Sequence, residues 1–196
     1  MTGVVLVGGA ATRMGTPKHR IKFGSETLLE RAVRKLAAVT TAVIVVGGRD
    51  SVDMQGVSVV HDLFSGKGPL GGIHAGLVNA EDTCAVVGCD MPFFSEQMLL
   101  LMERVSRDSD AAVPCANGYW EPLCAVYRPG CIPAIEALFE ESGVLKVSRL
   151  YDMVSVHEFG ENDIRSFGRP EHLFFNINSP EQLEQAVLME REGVSV

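Results

Sequence analysis

Five basic residues fall close together near the start of the chain: Arg13, Lys18, His19, Arg20 and Lys22, with no acid between positions 13 and 22. The chain as a whole has a formal net charge of −8, so this cluster runs against its background. It sits in a loop that opens on Gly8-Gly9 and holds a third glycine at Gly15. A glycine pair turns tightly and exposes backbone N–H groups, which can cradle phosphate oxygens. Arginine and lysine then neutralise the phosphate charge, arginine with its bidentate fork. Such a loop is either a polyphosphate site or a solvated basic connection. Two familiar glycine loops are excluded: the stretch contains neither GxxxxGK[ST] nor GxGxxG.

Four further places could carry chemistry. Asp90 ends an apolar run just before Met91-Pro92. An aspartate there either ligates Mg²⁺ beside a phosphate loop or caps the next turn. Gly68-Pro69-Leu70-Gly71-Gly72 leads into a helix, as a ligand-facing N-terminus or as a turn the fold requires. Asn176 and Asn178 flank Ile177, so an extended segment puts both amides on one face. They complete a metal or phosphate shell, or they satisfy backbone groups where the last helix begins. Tyr119-Trp120 lies in a turn, as a recognition surface for a flat ligand or as ordinary packing. His61, His74, His157 and His172 have no metal-ligand spacing, and no nucleophile–base pairing stands out.

These residues must be positioned by alternating strands and helices. Gly3 to Val7, Thr41 to Val46, Val57 to Val60, Cys84 to Val87 and Asp110 to Pro114 read as strands. Helices are expected from Glu26 to Ala38 with Ser25 as cap, from about Gly71 to Asn79, and over 96–105 behind Ser95. Further on, Pro122 to Tyr127 and Met153 to Phe159 read as strands, and 131–141 and 146–151 as helices. Gly160 to Pro170 reads as a polar loop, and Ser179-Pro180-Glu181-Gln182 opens a final helix running to about Arg191. The alternation indicates a single α/β domain over 1–196, Rossmann-like, with a mostly parallel sheet covered by helices on both faces. Its site belongs at the carboxyl ends of the strands, where the loop after Val7, the region of Asp62, and Asp90 would gather.

Composition narrows the partners. A hydrophobic content of 46% over 196 residues supports one substantial core. The acidic net charge argues against non-specific nucleic-acid binding, and no apolar run reaches membrane-spanning length. Five scattered cysteines without a CxxC fit reduced thiols, so a cytoplasmic protein without a disulfide framework or zinc site is expected.

LVGGAATRMGTPK (6–18) resembles the LAGGxSxRMGxxK signature of sugar-nucleotide and cofactor nucleotidyltransferases. GPLGG (68–72), GCDMPF (88–93) and NINSPE (176–181) follow in the order found there. The chain is similar to the molybdenum cofactor guanylyltransferase (MobA-like) family, which has the nucleotide-diphospho-sugar transferase type of fold. The resemblance implies transfer of GMP from GTP to the terminal phosphate of molybdenum-bearing molybdopterin, with loss of pyrophosphate. It implies that Leu6, Val7, Gly8 and Gly9 lie against the base and phosphates, that Arg13 and Lys18 contact the phosphates, and that Asp62 lies in the nucleotide pocket. Asp90 matches the Mg²⁺ ligand. Asn176 and Asn178 match paired asparagines near the metal and the second substrate, with Gly71 also on the acceptor side and residues 119–123 in the acceptor region. Arg13, Lys18 and Asp90 would carry catalysis, and molybdoenzymes or other cofactor-biosynthesis proteins would be the protein partners. The sequence departs from the pattern at Val7 (usually Ala), at Ala11 (often Ser), at His19-Arg20 (usually small and apolar) and at Gly47, where some relatives carry Asn. Alternatives are a molybdopterin cytidylyltransferase, a sugar-1-phosphate nucleotidyltransferase, or a non-catalytic protein that binds nucleotide and delivers the cofactor.

Overall fold

A computed structural model of the chain describes residues 1–8, 16–47, 54, 56–61, 64, 66–80, 82–141 and 145–192. The first strand, β1 (Thr2–Leu6), is buried along its whole length, as its unbroken apolar run requires of a strand covered on both faces. After the basic loop, β2 (Lys22–Phe23) and β3 (Glu26–Thr27) form a small antiparallel hairpin. Helix α1 (Leu28–Ala37) starts there, two residues later than its periodicity suggests. Thr27, not Ser25, is the cap: its hydroxyl accepts from the Glu30 N–H at 3.1 Å. The Glu30 carboxylate in turn accepts from the Thr27 N–H at 2.5 Å. This is a reciprocal capping box, which Ser25 cannot form because the position three residues on is Leu28.

The chain continues through β4 (Val43–Val46), β5 (Ser58–Val60), α2 (Pro69–Ala80), β6 (Cys84–Gly88) and α3 (Glu96–Val105). Pro69 opens α2 two residues before Gly71, as a proline can at a first helical position. Then come β7 (Ala111–Ala116), β8 (Tyr119–Trp120), β9 (Cys124–Tyr127), α4 (Ile132–Phe139) and β10 (Val156–Phe159). The polar stretch expected to be a loop instead holds two short helices, α5 (Glu161–Arg165) and α6 (Pro170–Leu173). Each is pinned by one buried leucine or isoleucine, Ile164 or Leu173, too few apolar residues to show a period. Helix α7 (Pro180–Arg191) ends the described fold, with the Ser179 hydroxyl accepting from the Gln182 N–H.

The strand order is β5-β4-β1-β6-β9-β7-β10, with β8 paired to β7. Along this path β9 alone is antiparallel among the described strands; the other pairings are parallel. The mostly parallel α/β sheet is therefore as expected. The chain builds outward from β1 to β4 and β5, then returns to the other side of β1 as β6. That reversal leaves a crevice at the carboxyl ends of β1 and β6. Two apolar clusters fill the faces of the sheet, one under α1 and α3, the other under α2 and α4. A third, smaller cluster joins Ile21, Phe23, Leu28, Phe93, Ile177, Ala186 and Met189. It ties the hairpin to α7, which lies at the far end of the sequence. Among the described residues no helix is long and apolar enough to cross a membrane.

Candidate functional site

The crevice is built by backbone before any functional side chain enters it. The Cys89 N–H, just past β6, donates to the Leu6 carbonyl at 3.1 Å, so the two strand ends stay in register beyond the sheet. Gly47, just past β4, has φ +102, and a Cβ there would drive into the Val7 carbonyl oxygen. Only glycine allows that approach. This accounts for Gly47 by backbone geometry alone.

Asp90 follows a tight turn in which the Met91 N–H donates to the Gly88 carbonyl at 3.2 Å. A Cβ at Gly88 would stand 2.7 Å from Asp90 Oδ1, so that glycine makes the room the carboxylate uses. The Asp90 carbonyl accepts from the Ile177 N–H at 2.9 Å, which docks the 176–178 segment on the same turn. The Asn178 N–H donates to the Gln182 side chain at 2.8 Å, fixing Asn178 at the head of α7. Lys18 opens a single 3-10 turn, Lys18–Arg20, just before Ile21 and Phe23 enter the third cluster.

These three elements deliver three of the expected residues to one point. Lys18 Nζ lies 2.6 Å from Asp90 Oδ2 and 2.5 Å from Asn178 Oδ1. The Lys18 and Asp90 side chains are only 14% and 16% exposed. Leu6 and Val7 are buried beside this point and Gly8 is exposed after them. Asn176 is turned differently: its Nδ2 donates to the Phe174 carbonyl at 2.8 Å. Gly71 is buried within the first turn of α2, its N–H given to the Gly68 carbonyl. Gly9, Arg13 and Asp62 lie outside the described residues. The rest of the basic cluster disperses: His19 is buried, Arg20 is exposed, and Lys22 faces Glu30 at 3.8 Å.

Arg31 is a residue that sequence reasoning passes over. From α1 its Nε donates to the Pro92 carbonyl at 3.0 Å, two residues past Asp90. Its guanidinium also pairs with Glu190 of α7 at 2.7 Å and lies over the Phe23 ring at 4.8 Å. It therefore braces the Asp90 turn, the hairpin and α7 at once. An arginine on an amphipathic helix reads as solvated, so no sequence signal marks it.

A second cavity opens further along the same edge. Strands β6 and β7 are each antiparallel to β9, so they run in one direction and end on one side. There, Asn117-Gly118 makes a two-residue turn with φ of 52 and 77, joining β7 to β8. Positive φ at both positions is the hairpin turn matched to strand twist. Beyond it lies a cleft of about 240 Å³ lined by Ala116, Asn117, Tyr119, Glu121, Pro170, Glu171 and Phe174. Tyr119 is 75% exposed at its mouth. Trp120 packs instead against Tyr151, with 5.2 Å between ring centres and 59° between ring planes, so the two aromatics are not one surface. Glu121 is half-buried, and burial pushes its carboxyl up to about 7. Its backbone is clamped to β7 by the Glu121 N–H, which donates to the Pro114 carbonyl at 2.9 Å.

All five cysteines are free, and burial pushes Cys84, Cys89 and Cys131 up to about 12. Among the described residues no group of three or more His, Cys, Asp or Glu side chains forms a metal cage. The Asp90 and Asn178 oxygens nevertheless converge on one cationic head, the Lys18 ammonium. Two hard oxygen donors that supply part of a shell suit Mg²⁺, which takes its remaining ligands from phosphates and water.

Comparison with known proteins places the chain as a whole. Residues 3–156 match the model of the MobA-like NTP transferase domain. The chain is 40% identical over 190 residues to a probable molybdenum cofactor guanylyltransferase of Pelotomaculum thermopropionicum, covering 96% of this chain and 92% of that one. It is 32% identical over 193 residues to a probable molybdenum cofactor guanylyltransferase of Peptoclostridium acidaminophilum, covering 94% and 87%. The crystal structure of molybdopterin-guanine dinucleotide biosynthesis protein A from Archaeoglobus fulgidus superposes with a TM-score of 0.83 at 28% identity, covering 98% of this chain and all of that one. With residues 3–156 matching that model and relatives of 40% and 32% identity covering nearly the whole chain, the chain belongs to the MobA-like NTP transferase family and is a nucleotidyltransferase.

Proposed function

We propose that this chain transfers GMP from GTP to the terminal phosphate of molybdopterin carrying molybdenum, releasing pyrophosphate and forming the guanine dinucleotide cofactor. The observation that carries the reading is the convergence of Lys18, Asp90 and Asn178 at the ends of β1 and β6, in a chain 40% identical to a probable molybdenum cofactor guanylyltransferase. The acceptor phosphate attacks the α-phosphorus in line and pyrophosphate leaves. That nucleophile is already ionised near neutral pH, so the step needs positioning and charge neutralisation rather than a general base.

The chain's own residues divide that work. The backbone of Leu6, Val7, Gly8 and Gly9 receives the nucleotide, with Asp62 in its pocket. Arg13 and Lys18 hold the triphosphate. Lys18 exchanges its present partners for phosphate oxygens and stabilises the charge that grows on pyrophosphate. Asp90, with Asn178 beside it, would hold Mg²⁺. When bound, that ion neutralises phosphate charge and orients the reacting groups. Asn176 and Gly71 keep the acceptor side of the crevice in shape. The reaction belongs in the cytoplasm, where nucleoside triphosphates and reduced thiols are found, and its product passes to molybdoenzymes.

The test is pyrophosphate release with molybdenum-loaded molybdopterin and Mg²⁺, comparing GTP, CTP, ATP and UTP. Release with GTP alone is expected. Release with CTP alone keeps the mechanism and overturns the choice of base. Bound nucleotide with no release from any of the four overturns the transfer itself.

A further inference from the structure

We propose that Glu121 recognises the acceptor's ring, its two carboxylate oxygens accepting from the 2-amino group and the N3–H of a 2-amino-4-oxo-pteridine, with Tyr119 and Phe174 as the flat walls on either side. The inference rests on the proposed function for the identity of the acceptor, but the cleft argues its chemistry independently. At about 240 Å³ it is smaller than the roughly 300–1,000 Å³ typical of pockets for larger ligands, which suits a bicyclic ring rather than a whole nucleotide. It is lined by two aromatic rings, the Asn117 amide and two carboxylates, Glu121 and the exposed Glu171, with no basic side chain among its lining residues.

Glu121 is the unusual member of that lining. It is half-buried, and among the described residues no side chain pairs with its carboxylate. A carboxylate taken partly out of water without a partner is costly unless something supplies donors. A planar edge carrying two adjacent N–H groups supplies them in the bidentate geometry a carboxylate accepts best. The backbone around Glu121 is rigid enough to aim it. Its N–H is held by Pro114, and its carbonyl accepts from the Cys124 N–H at 3.2 Å.

The cleft also stands where an acceptor must lie. The Leu123 carbonyl accepts from the Gly88 N–H at 2.9 Å, so two residues of chain separate Glu121 from that bond and two more separate it from Asp90. Chain length alone keeps the two carboxylates' Cα atoms within about 20 Å. Sheet order puts β6 and β9 between the loop after β1 and the cleft beside β7. Donor and acceptor thus enter from opposite sides of Asp90. Guanine carries the same donor edge as a pterin, so the experiment must tell them apart.

The probes are 6-hydroxymethylpterin and 6-hydroxymethyllumazine, followed by their own fluorescence on the full chain above the Glu121 pKa. Lumazine replaces the 2-amino donor with a carbonyl acceptor and keeps the N3–H, while N1 on the far side of that carbonyl becomes N1–H. The native chain should prefer pterin by at least about tenfold, the scale of one mispaired buried hydrogen bond. Glu121→Gln presents one acceptor and one donor, so it should weaken pterin by about tenfold and turn the preference toward lumazine. A merely structural role for Glu121 would weaken both alike. In turnover, Glu121→Gln should raise KM for the molybdopterin acceptor with kcat retained, while GTP affinity stays unchanged. No pterin preference in the native chain, or a preference that survives Glu121→Gln, overturns the proposal. So does a loss of GTP affinity in the variant, which would assign the cleft to guanine. Absence of pyrophosphate release from the native chain would instead count against the transfer reaction, leaving the pterin–lumazine comparison to stand or fall by itself.

Discussion

Asp90 and Glu121 are carboxylates on one edge of one sheet, and their surroundings are opposite. Asp90 is nearly buried and faces an ammonium at 2.6 Å, with the Asn178 amide oxygen on the same head. Glu121 is half-buried with no cation against its carboxylate among the described residues, and burial pushes its carboxyl up to about 7. The paired group sits where strands, hairpin and α7 are clamped together by Arg31 and the third apolar cluster. The unpaired group sits in an open cleft between β8 and α6. The pairing shows which kind of ligand each place accepts. A carboxylate already matched to a cation can trade it for another cation while the freed ammonium takes an anion, which suits a metal and a polyphosphate arriving together. A carboxylate without a match rejects a second anion, whose burial beside it would raise its cost further, and is satisfied by N–H donors, which a neutral ring edge can supply.

The comparison breaks most sharply at Asp90. Asp90→Ala should lower Mg²⁺-dependent pyrophosphate release by at least about 10³-fold, since several kcal/mol of charge stabilisation goes with it. The two clusters that fill the sheet do not involve Asp90, so the variant should keep the native circular dichroism spectrum. Turnover within tenfold of native would remove Asp90 as the metal ligand. Lys18→Ala comes next, with an expected loss of about 10²-fold in kcat/KM, the scale of one preorganised charge contact. Titrating GTP against this variant separates binding from chemistry. Unchanged kinetics would mean that Lys18 only holds Asp90 and Asn178 in the resting protein.

Much of this arrangement was legible in the sequence, and the reasons differ by region. The parallel sheet showed itself because buried strands such as Val43–Val46 are unbroken β-branched runs. Asp90 and Lys18 were marked by glycines and charge. Helices α3 and α7 were bounded correctly because Ser95 and Ser179 both accept from the N–H three residues on. What could not be read was whatever depends on distant contact. Thr27 displaced Ser25 as a cap because burying Phe23 passes the chain through a hairpin first. Helices α5 and α6 are too short to show a period. Arg31 gains its meaning from α7 and Glu121 from the Pro170–Phe174 wall of the cleft, both distant from them in sequence. In the sequence the cleft was marked by Tyr119-Trp120 in a turn and by the resemblance of 119–123 to an acceptor region, while the Asn117-Gly118 hairpin turn that shapes it emerged only in the structure.

The smallest expected effect is on stability, and it tests the unpaired half of the comparison directly. In the folded chain Glu121 holds its proton up to about pH 7, while in the unfolded chain it loses it near 4.5. Below that lower value both states are protonated and the residue is neutral to folding. Between the two values the unfolded chain releases a proton that the folded chain keeps, so stability falls as pH rises, and above about 7 the whole penalty is present. Glu121→Gln should therefore raise Tm above that value and leave it unchanged in acid. Because much of the carboxyl still meets solvent, screening reduces the penalty to about 1 kcal/mol. That is worth roughly 2–4 °C in a chain of this size. Thermal melts of both proteins across the range decide it. An equal shift at every pH would mean the substitution repacks the cleft, and no shift above 7 would mean that Glu121 is already satisfied and free of the strain that a donor edge is proposed to relieve.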